Sequence, residues 1–466
     1  MFSRLHQIWF APIDASFLSV FRIMFGGVLL FESVNYGLFL CLDCMYRSSD
    51  MLFKYHHFEW VGLWPGFGLE LNFLVMGICA ICIMLGLYYR LAMLVYTLCF
   101  SYVFFLDQAL YLNHFYLVIL FCCIMVFVPA NVYWSVDAHR KPAIASTSVP
   151  AWSRLWLVIQ LEIVLIYAGI VKLNWDWLNL EPMRLWMNSQ SQNAHPFFQW
   201  ITQDPGIAAA SYGVVLLHLV GAPLLLWRKT RLPVFLLYCV FHTINAFVFN
   251  IGIFPWMTIA ATLVLFDPNW PKQLYTWWCS KRGSLIKETN TSANHTCALP
   301  PTLQHGKLAN LFLVVFIVGW LTAQVLIPLR HWQVPGDVTW NEGGHRFSWR
   351  MKLRSKVGDA KFYVVTNSEP AIIVDPATHL NRAQVFKMAC IPDLIWQFAQ
   401  FLEQEHMVEQ NDDIKVYVDT NCSLNTREAV PLINRLIDLT AIPRTEPLRN
   451  WVTTNSKLLP KKYLNI

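Results

Sequence analysis

The chain is predicted to be mainly α: a polytopic helical transmembrane bundle of about eight or nine spans over residues 1–329, followed by a small α+β extramembrane domain over residues 330–466. Composition is the first reason. Of 466 residues, 56% are hydrophobic and 14% charged, and mean hydropathy is +0.41. An average soluble domain carries about 25% charged residues. The second reason is the recurrence of bilayer-length apolar runs, roughly 17–25 residues each, which stop after Leu329. The third is that basic residues cluster in alternate loops, as the positive-inside rule requires of a multi-span protein.

The spans fall near 16–40, 69–88, 91–106, 113–129, 152–173, 207–227, 231–250, 252–267 and 308–329. Gly26, Gly27, Gly169 and Gly221 permit close helix approach. Pro129, Pro223, Pro233 and Pro255 stand at span ends or kinks. No cleavable signal peptide is read in Met1–Ala15, so the first span is expected to act as a signal anchor. Arg90, Arg140, Lys141, Arg228, Lys229, Arg231, Lys272, Lys281, Arg282, Lys287 and Lys307 occupy one set of loops. The other set holds only Arg47, Lys54 and Arg184. The N-terminus is therefore expected to be cytoplasmic, and everything after Leu329 lumenal or periplasmic. The sequons at Asn290 and Asn294 then lie inside and read as chance matches.

Past Leu329, Lys361–Thr366 and Ile414–Asp419 have the β-branched and aromatic content of strands. Arg382–Glu405 has helical apolar spacing, with Phe386, Ile395, Phe398 and Leu402 in register. The net charge of +6 needs no nucleic acid, because basic loops on one membrane face account for it. The 12 cysteines are scattered and no metal site is indicated; Cys41 and Cys44 form one weak motif with no assigned role.

The candidate site is built around 167–177, where Lys172 is the one cation. A lysine at that depth snorkels, pairs, or loses its proton, and the desolvated form is a usable base. Topology sets Lys172 at the outer end of its span. Asn113 and His114 open another span at the same end, and His242, Asn245 and Asn250 lie in the outer half of a third. His242 and Asn245 share a helix face. Each histidine has a structural reading beside the functional one: His114 as an interfacial residue, His242 as a donor to a neighbouring helix. His218 reads as a packing histidine. Arg22 and Glu162 lie toward the inner half and are expected to neutralise each other or snorkel, while Glu32 and Asp107 have no assignment.

Several motifs in this order resemble the vitamin K-dependent gamma-glutamyl carboxylase family, as a short homologue with the horizontally transferred transmembrane domain. They are Phe21-Arg-Ile-Met-Phe-Gly26, Leu85-Gly-Leu-Tyr-Tyr-Arg90, Leu106-Asp107 with Asn113-His114-x-Tyr116, and Tyr133-Trp-Ser-Val-Asp137. They continue with Ala168-Gly-Ile-Val-Lys-Leu173, Asp176-Trp177, Phe241-His-Thr-Ile-Asn245, Ile251-Gly-Ile-Phe254, Asp267-Pro-Asn-Trp-Pro271 and Phe347-Ser-Trp-Arg-Met351. The likeness covers roughly 16–360. It implies an enzyme, a carboxylase with coupled vitamin K epoxidase activity. In the family a lysine deprotonates vitamin K hydroquinone, oxygen addition generates a strong base, that base removes a glutamyl γ-proton, and the carbanion captures carbon dioxide. The resemblance implies Lys172 and His114 as catalytic residues and Asn113, His242 and Asn245 as quinone-binding residues. Arg184, Trp349 and Arg354 are assigned to the glutamyl substrate. The implied cofactors are reduced phylloquinone or menaquinone, molecular oxygen and carbon dioxide, with no metal. The implied partners are membrane lipid and a glutamyl-containing peptide or protein.

The chain departs from the family pattern in places. Val171 stands where a first lysine is frequent, and His345 and Arg354 stand where the family has a tyrosine and a histidine. No clear second cysteine matches the family's structural disulfide. The extended region that binds a propeptide is absent up to Ile466, so propeptide recognition is not expected. Two alternatives remain open: a quinol epoxidase without carboxylation, and a non-enzymatic lipid- or partner-binding scaffold.

Overall fold

The computed structural model describes residues 7–191, 202–249, 251–281, 303, 306–367, 370–410, 413–425 and 427–454. Asn250 and both sequons lie outside these. The helices of the bundle are α1 (Ser16–Val34), α2 (Gly68–Leu85), α3 (Tyr89–Leu106), α4 (Asn113–Phe127) and α5 (Trp152–Ile170). They continue with α6 (Asp204–Leu216), α7 (Arg231–Phe249), α8 (Phe254–Thr262) and α9 (Lys307–Leu329). All nine expected segments are helical. Seven are long and apolar enough to cross a membrane, while Asn113–Phe127 and Phe254–Leu265 are shorter. The 15 residues of α4 rise only about 22 Å, against a hydrocarbon core of about 30 Å. Both short helices begin on the side of the bundle that faces the C-terminal unit, so space is left there.

The sequence accounts for both late starts. Before α4 the chain is extended at Leu112 (φ −130°, ψ 131°). Gln108 N–H is tied to Phe53 O at 2.7 Å and Asp107 Oδ1 accepts from Ala109 N–H at 2.8 Å. Before α8, Gly252 has φ 58°, a left-handed turn that costs glycine nothing, and Pro255 fits the first helical turn.

The opposite end of the bundle corrects one expectation. Arg22 does not pair with Glu162. Its guanidinium donates to the carbonyls of Ala130 (2.7 Å), Trp134 (2.6 Å) and Met84 (3.3 Å). A Cβ on Gly86, whose φ is 65°, would sit 2.6 Å from Arg22 Nη1, so only glycine admits that guanidinium. Glu162 is buried, and neither carboxyl oxygen has a hydrogen-bond partner among the described residues.

The C-terminal unit is a three-stranded antiparallel sheet covered by two helices. The pair β1 (Pro12–Asp14) and β2 (Ser148–Pro150) belongs to the bundle; the unit itself holds β3 (Lys356–Val365), β4 (Ile372–Val374) and β5 (Lys415–Leu424), in the order β4-β3-β5. Lys356 faces Leu424 and Val365 faces Lys415. The inward set, including Phe362, Val364, Val416 and Val418, packs on Ile395, Phe398 and Leu402. The expected single helix over 382–405 is two: α10 (Arg382–Met388) and α11 (Pro392–Gln410). Pro392 lacks the N–H that a continuous helix needs. The break takes Phe386 out of register, and it is 55% exposed. Cys41 and Cys44 are also corrected: they form a disulfide, as do Cys390 and Cys422.

Truncating Phe398, which meets Phe362 edge-on at 4.8 Å, should cost roughly 3–5 kcal/mol. Thermal unfolding of detergent-solubilised Phe398→Ala checks this. Phe386→Ala should change stability by no more than about 0.5 kcal/mol.

Candidate active site

The space left by the two short helices is a cavity of about 670 Å³, between the bundle and the C-terminal unit. Its floor comes from α4, α5, α7 and α8, its roof from 342–354 and α10. Of the residues singled out from sequence, Lys172, Asn113, His114, Asn245 and Arg354 line it.

Lys172 lies in the turn beyond the end of α5, where its N–H bonds Gly169 O at 3.0 Å. Only 5% of the residue is exposed. Its ammonium nitrogen donates to Ala168 O at 2.8 Å and lies 5.2 Å from the centre of the Trp177 ring. No carboxylate comes within 4.0 Å of it among the described residues. Lys172 sits past the span, and burial pushes its pKa down to about 7. Uncompensated burial penalises the ammonium and favours the free amine. Gly169 makes the packing possible: a Cβ there would meet Leu219 Cδ2 at 2.7 Å and His218 Cβ at 3.0 Å. His218 belongs to a π-helical turn, Leu217–Gly221, that continues α6. The sequence reading treated His218 as packing only; it also lines the cavity. Its Nδ1–H donates to Val214 O at 2.9 Å, because a carbonyl can only accept.

Asn113 is fixed from above. Tyr111 Oη accepts from Phe347 N–H at 2.7 Å and donates to Asn113 Oδ1 at 3.0 Å. His114 packs edge-on against Phe115 at 4.9 Å, and a Cβ on Gly252 would lie 3.7 Å from its Nε2. His242 does not line the cavity. It is fully buried behind Phe241 (5.0 Å) and Phe254 (5.7 Å), which do, and neither ring nitrogen has a hydrogen-bond partner among the described residues. Arg184 also stands outside, bonded to Asp204 Oδ1 at 2.5 Å. Trp349 is buried in the bundle core, stacked on Tyr116 at 5.0 Å, and anchors the roof without lining the cavity.

The roof holds residues that sequence reasoning missed. Arg346, Arg350, Lys352 and Lys387 line it beside Arg354. Arg354 is engaged: its Nε donates to Glu342 Oε1 at 2.9 Å, and Nη1 donates to His345 Nε2 at 3.0 Å. Burial pushes the Glu342 carboxyl up, but Arg354 and Lys356 outweigh burial and hold it below the usual carboxylate range. Burial pushes the Lys356 ammonium down to about 8 against the pull of Glu342. Burial, reinforced by Arg354, keeps His345 neutral. Lys352 lies over Trp186 (5.5 Å) and Phe249 (5.2 Å). The available signal was charge density: Arg346, Arg350, Lys352, Arg354 and Lys356 fall in 11 positions with no acid between them.

A polar joint ties floor to roof. Arg427 grips Asp176 bidentately (Nη1–Oδ2 2.7 Å, Nη2–Oδ1 2.6 Å), and Asn425 Nδ2 donates to the same carboxylate at 2.6 Å. Asn425 Oδ1 accepts from Ser355 N–H at 2.9 Å, next to Arg354. Asp176 adjoins Trp177, the ring beside Lys172.

Family comparison agrees with this architecture. A model of the HTTM domain matches residues 10–270, more than half of the chain, and a model of the vitamin K-dependent gamma-carboxylase lumenal domain matches residues 309–457. Fold and cavity together therefore define a membrane-embedded HTTM protein capped by a carboxylase-type lumenal domain. The chain belongs to the vitamin K-dependent gamma-glutamyl carboxylase family. That membership implies an enzyme dependent on vitamin K. No solved structure matches the chain.

Breaking the Asp176–Arg427 pair strands a carboxylate that is about nine-tenths buried, a change worth about 3–5 kcal/mol. Arg427→Met should therefore speed amide exchange over 172–180 while leaving β3 and β5 protected.

Proposed function

We propose that this chain couples oxygenation of vitamin K hydroquinone to its epoxide with γ-carboxylation of glutamyl residues by carbon dioxide. The observation that carries the reading is one buried amine with no carboxylate within 4.0 Å among the described residues, in a cavity whose roof carries Arg346, Arg350, Lys352, Arg354 and Lys387. The residues fit a quinol: the floor offers Phe241, Phe249, Phe254 and Trp177 as ring surface, and the imidazole of His114 and the amides of Asn113 and Asn245 as polar contacts. When bound, the hydroquinone supplies with oxygen the strong base that a weakly acidic γ-carbon requires. Lys172, about half of it the free amine at pH 7, accepts the first proton. His114, Asn113 and Asn245 orient the ring, and His242 positions the Phe241–Phe254 wall from behind. The roof cations hold the glutamyl carboxylate by charge-assisted bonds, and Trp349 keeps that roof seated. Arg184 is given no role at the cavity. The lid formed by the C-terminal unit excludes water, which would quench a carbanion.

The division into a membrane domain over 1–329 and a lumenal domain over 330–466 belongs to the same proposal, with the N-terminus cytoplasmic. Both disulfides lie on the side of the C-terminal unit, whereas Cys279, on the helix Trp270–Lys281, is free. Disulfides persist in oxidising compartments, which supports placing that side in the lumen or periplasm. Epoxidation without carboxylation is the competing reading; unpaired roof cations would have no purpose in it.

Lys172→Ala should lower epoxide formation by about 10²–10⁴-fold, with partial recovery on adding small amines. An unchanged rate would remove the lysine from the mechanism. Because the amine must be neutral to act, kcat/KM should rise with pH up to about 7 and level off above it. Fixation of labelled carbon dioxide into a Glu-containing peptide should track epoxide formation; epoxide without fixed label would favour the competing reading.

A further inference from the structure

The roof carries more positive charge than one glutamyl carboxylate neutralises. Arg354 is committed to Glu342. Arg346, Arg350, Lys352 and Lys387 have no carboxylate within 4.0 Å among the described residues. Arg350 is the most informative. It is 7% exposed, its Nε is fully buried without a partner, and its guanidinium makes no hydrogen bond among the described residues. A buried, unpaired cation is costly.

Elsewhere among the described residues, buried or half-buried guanidinia find acceptors on at least one nitrogen, although the Nε of Arg22, like that of Arg350, has none. Arg22 is bonded by three carbonyls, and Arg154 by those of Val264, Leu265 and Phe266. Arg427 is bonded by Asp176. Arg350, with no acceptor on any of its nitrogens among the described residues, departs from this habit where it lines the cavity. We propose that the roof is a dicarboxylate site: it binds a ligand carrying two carboxylates close together, with Arg350 taking the second. This rests on the carboxylase reading, under which the γ-carbon of the product bears two carboxylates. An acidic side chain next to the reacting glutamate presents the same chemistry.

The test uses the full chain in lipid nanodiscs without hydroquinone, so that nothing turns over. Three short peptides with blocked termini are compared: one Glu among Gln residues, an adjacent Glu-Glu pair, and one γ-carboxyglutamyl residue. At least one of the last two should bind about tenfold or more tighter than the first, the worth of one charged hydrogen bond. Arg350→Gln should reduce that advantage to less than about threefold. Preference for the γ-carboxyglutamyl peptide alone assigns the site to product, and for the Glu-Glu peptide alone to an acidic neighbour in the substrate. Equal binding of all three by the wild type, or a preference unchanged in Arg350→Gln, overturns the proposal. Should Arg350→Gln fail to fold, the exposed Lys352 gives a second variant: Lys352→Met must also weaken the advantage, and full retention overturns the proposal. Failure of the carboxylase reading shows separately, as absence of epoxide and fixed label in turnover assays, and leaves the binding comparison standing.

Discussion

A helix that ends inside an apolar bundle leaves backbone groups that hydrocarbon cannot satisfy. Here α4 and α8 both begin below the level of their neighbours, and the C-terminal unit covers what they leave open. Gln384 of α10 reaches down to Asp107 Oδ2 at 2.8 Å, holding the extended approach to α4. Gln397 brackets Lys54 through both its N–H (2.7 Å) and its carbonyl (3.1 Å), and Arg444 adds a bond to Lys54 O at 2.7 Å. Phe347 N–H closes on Tyr111 at 2.7 Å. The lid thus supplies hydrogen-bond partners to the extended approach to α4. The same truncation that demands a cover creates the void beneath it.

That arrangement explains where charge is tolerated. Away from the cavity, several enclosed charges are neutralised locally: Arg22 and Arg154 by carbonyls, Asp107 by amide donors, Asp176 by Arg427 and Asn425; Glu162 departs from this, with no partner for either carboxyl oxygen among the described residues. Lining the cavity, the buried carboxyl of Glu32 has no hydrogen bond or ion pair among the described residues, and local neutralisation also lapses at Lys172 below and Arg350 above. Each would be a defect in a protein that served only as a scaffold, because an unpaired buried ion lowers stability without gain. Their placement on one cavity, Lys172 from the bundle and Arg350 from the roof, is the reason to propose reading them together, one as a proton acceptor and the other as an anion receptor.

The spans were legible because bilayer solvation demands long apolar runs, and that signal survives without any contact information. Lys172, Asn113 and His114 could be set at one depth from topology alone, since a helix converts residue number into height. What depth cannot give is azimuth. His242 has the right height, yet its neighbours Phe241 and Phe254 take the cavity face and leave it behind them. Arg184 likewise turns to Asp204. The roof was obscure for another reason: its cations sit in a loop whose left-handed residues, Phe347 (φ 59°), Trp349 (φ 56°) and Lys352 (φ 49°), fold the segment back on itself. No periodicity marks such a path. The pairings of Cys41 with Cys44 and of Cys390 with Cys422 depend on long-range placement for the second and on local turn geometry for the first, and neither is written in spacing alone.

Under the proposed function, two chemistries that need opposite electrostatics share this cavity without cancelling each other. A proton acceptor works only as a neutral amine, and a carboxylate receptor works only as a cation. A nearby cation raises the cost of protonating the amine, and an amine that did become protonated would compete with the receptor for the same anion. The fold separates them with ring surface: Trp177 shields the amine, while Trp186 and Phe249 hold Lys352 over their faces. In that proposal the aromatic surface keeps the surroundings of Lys172 apolar, which favours the free amine, while the roof cations receive an acidic side chain. The joint from Asp176 through Asn425 to Ser355 ties the segment that carries Trp177 to the segment that carries Arg354, so floor and roof are held together by the protein itself.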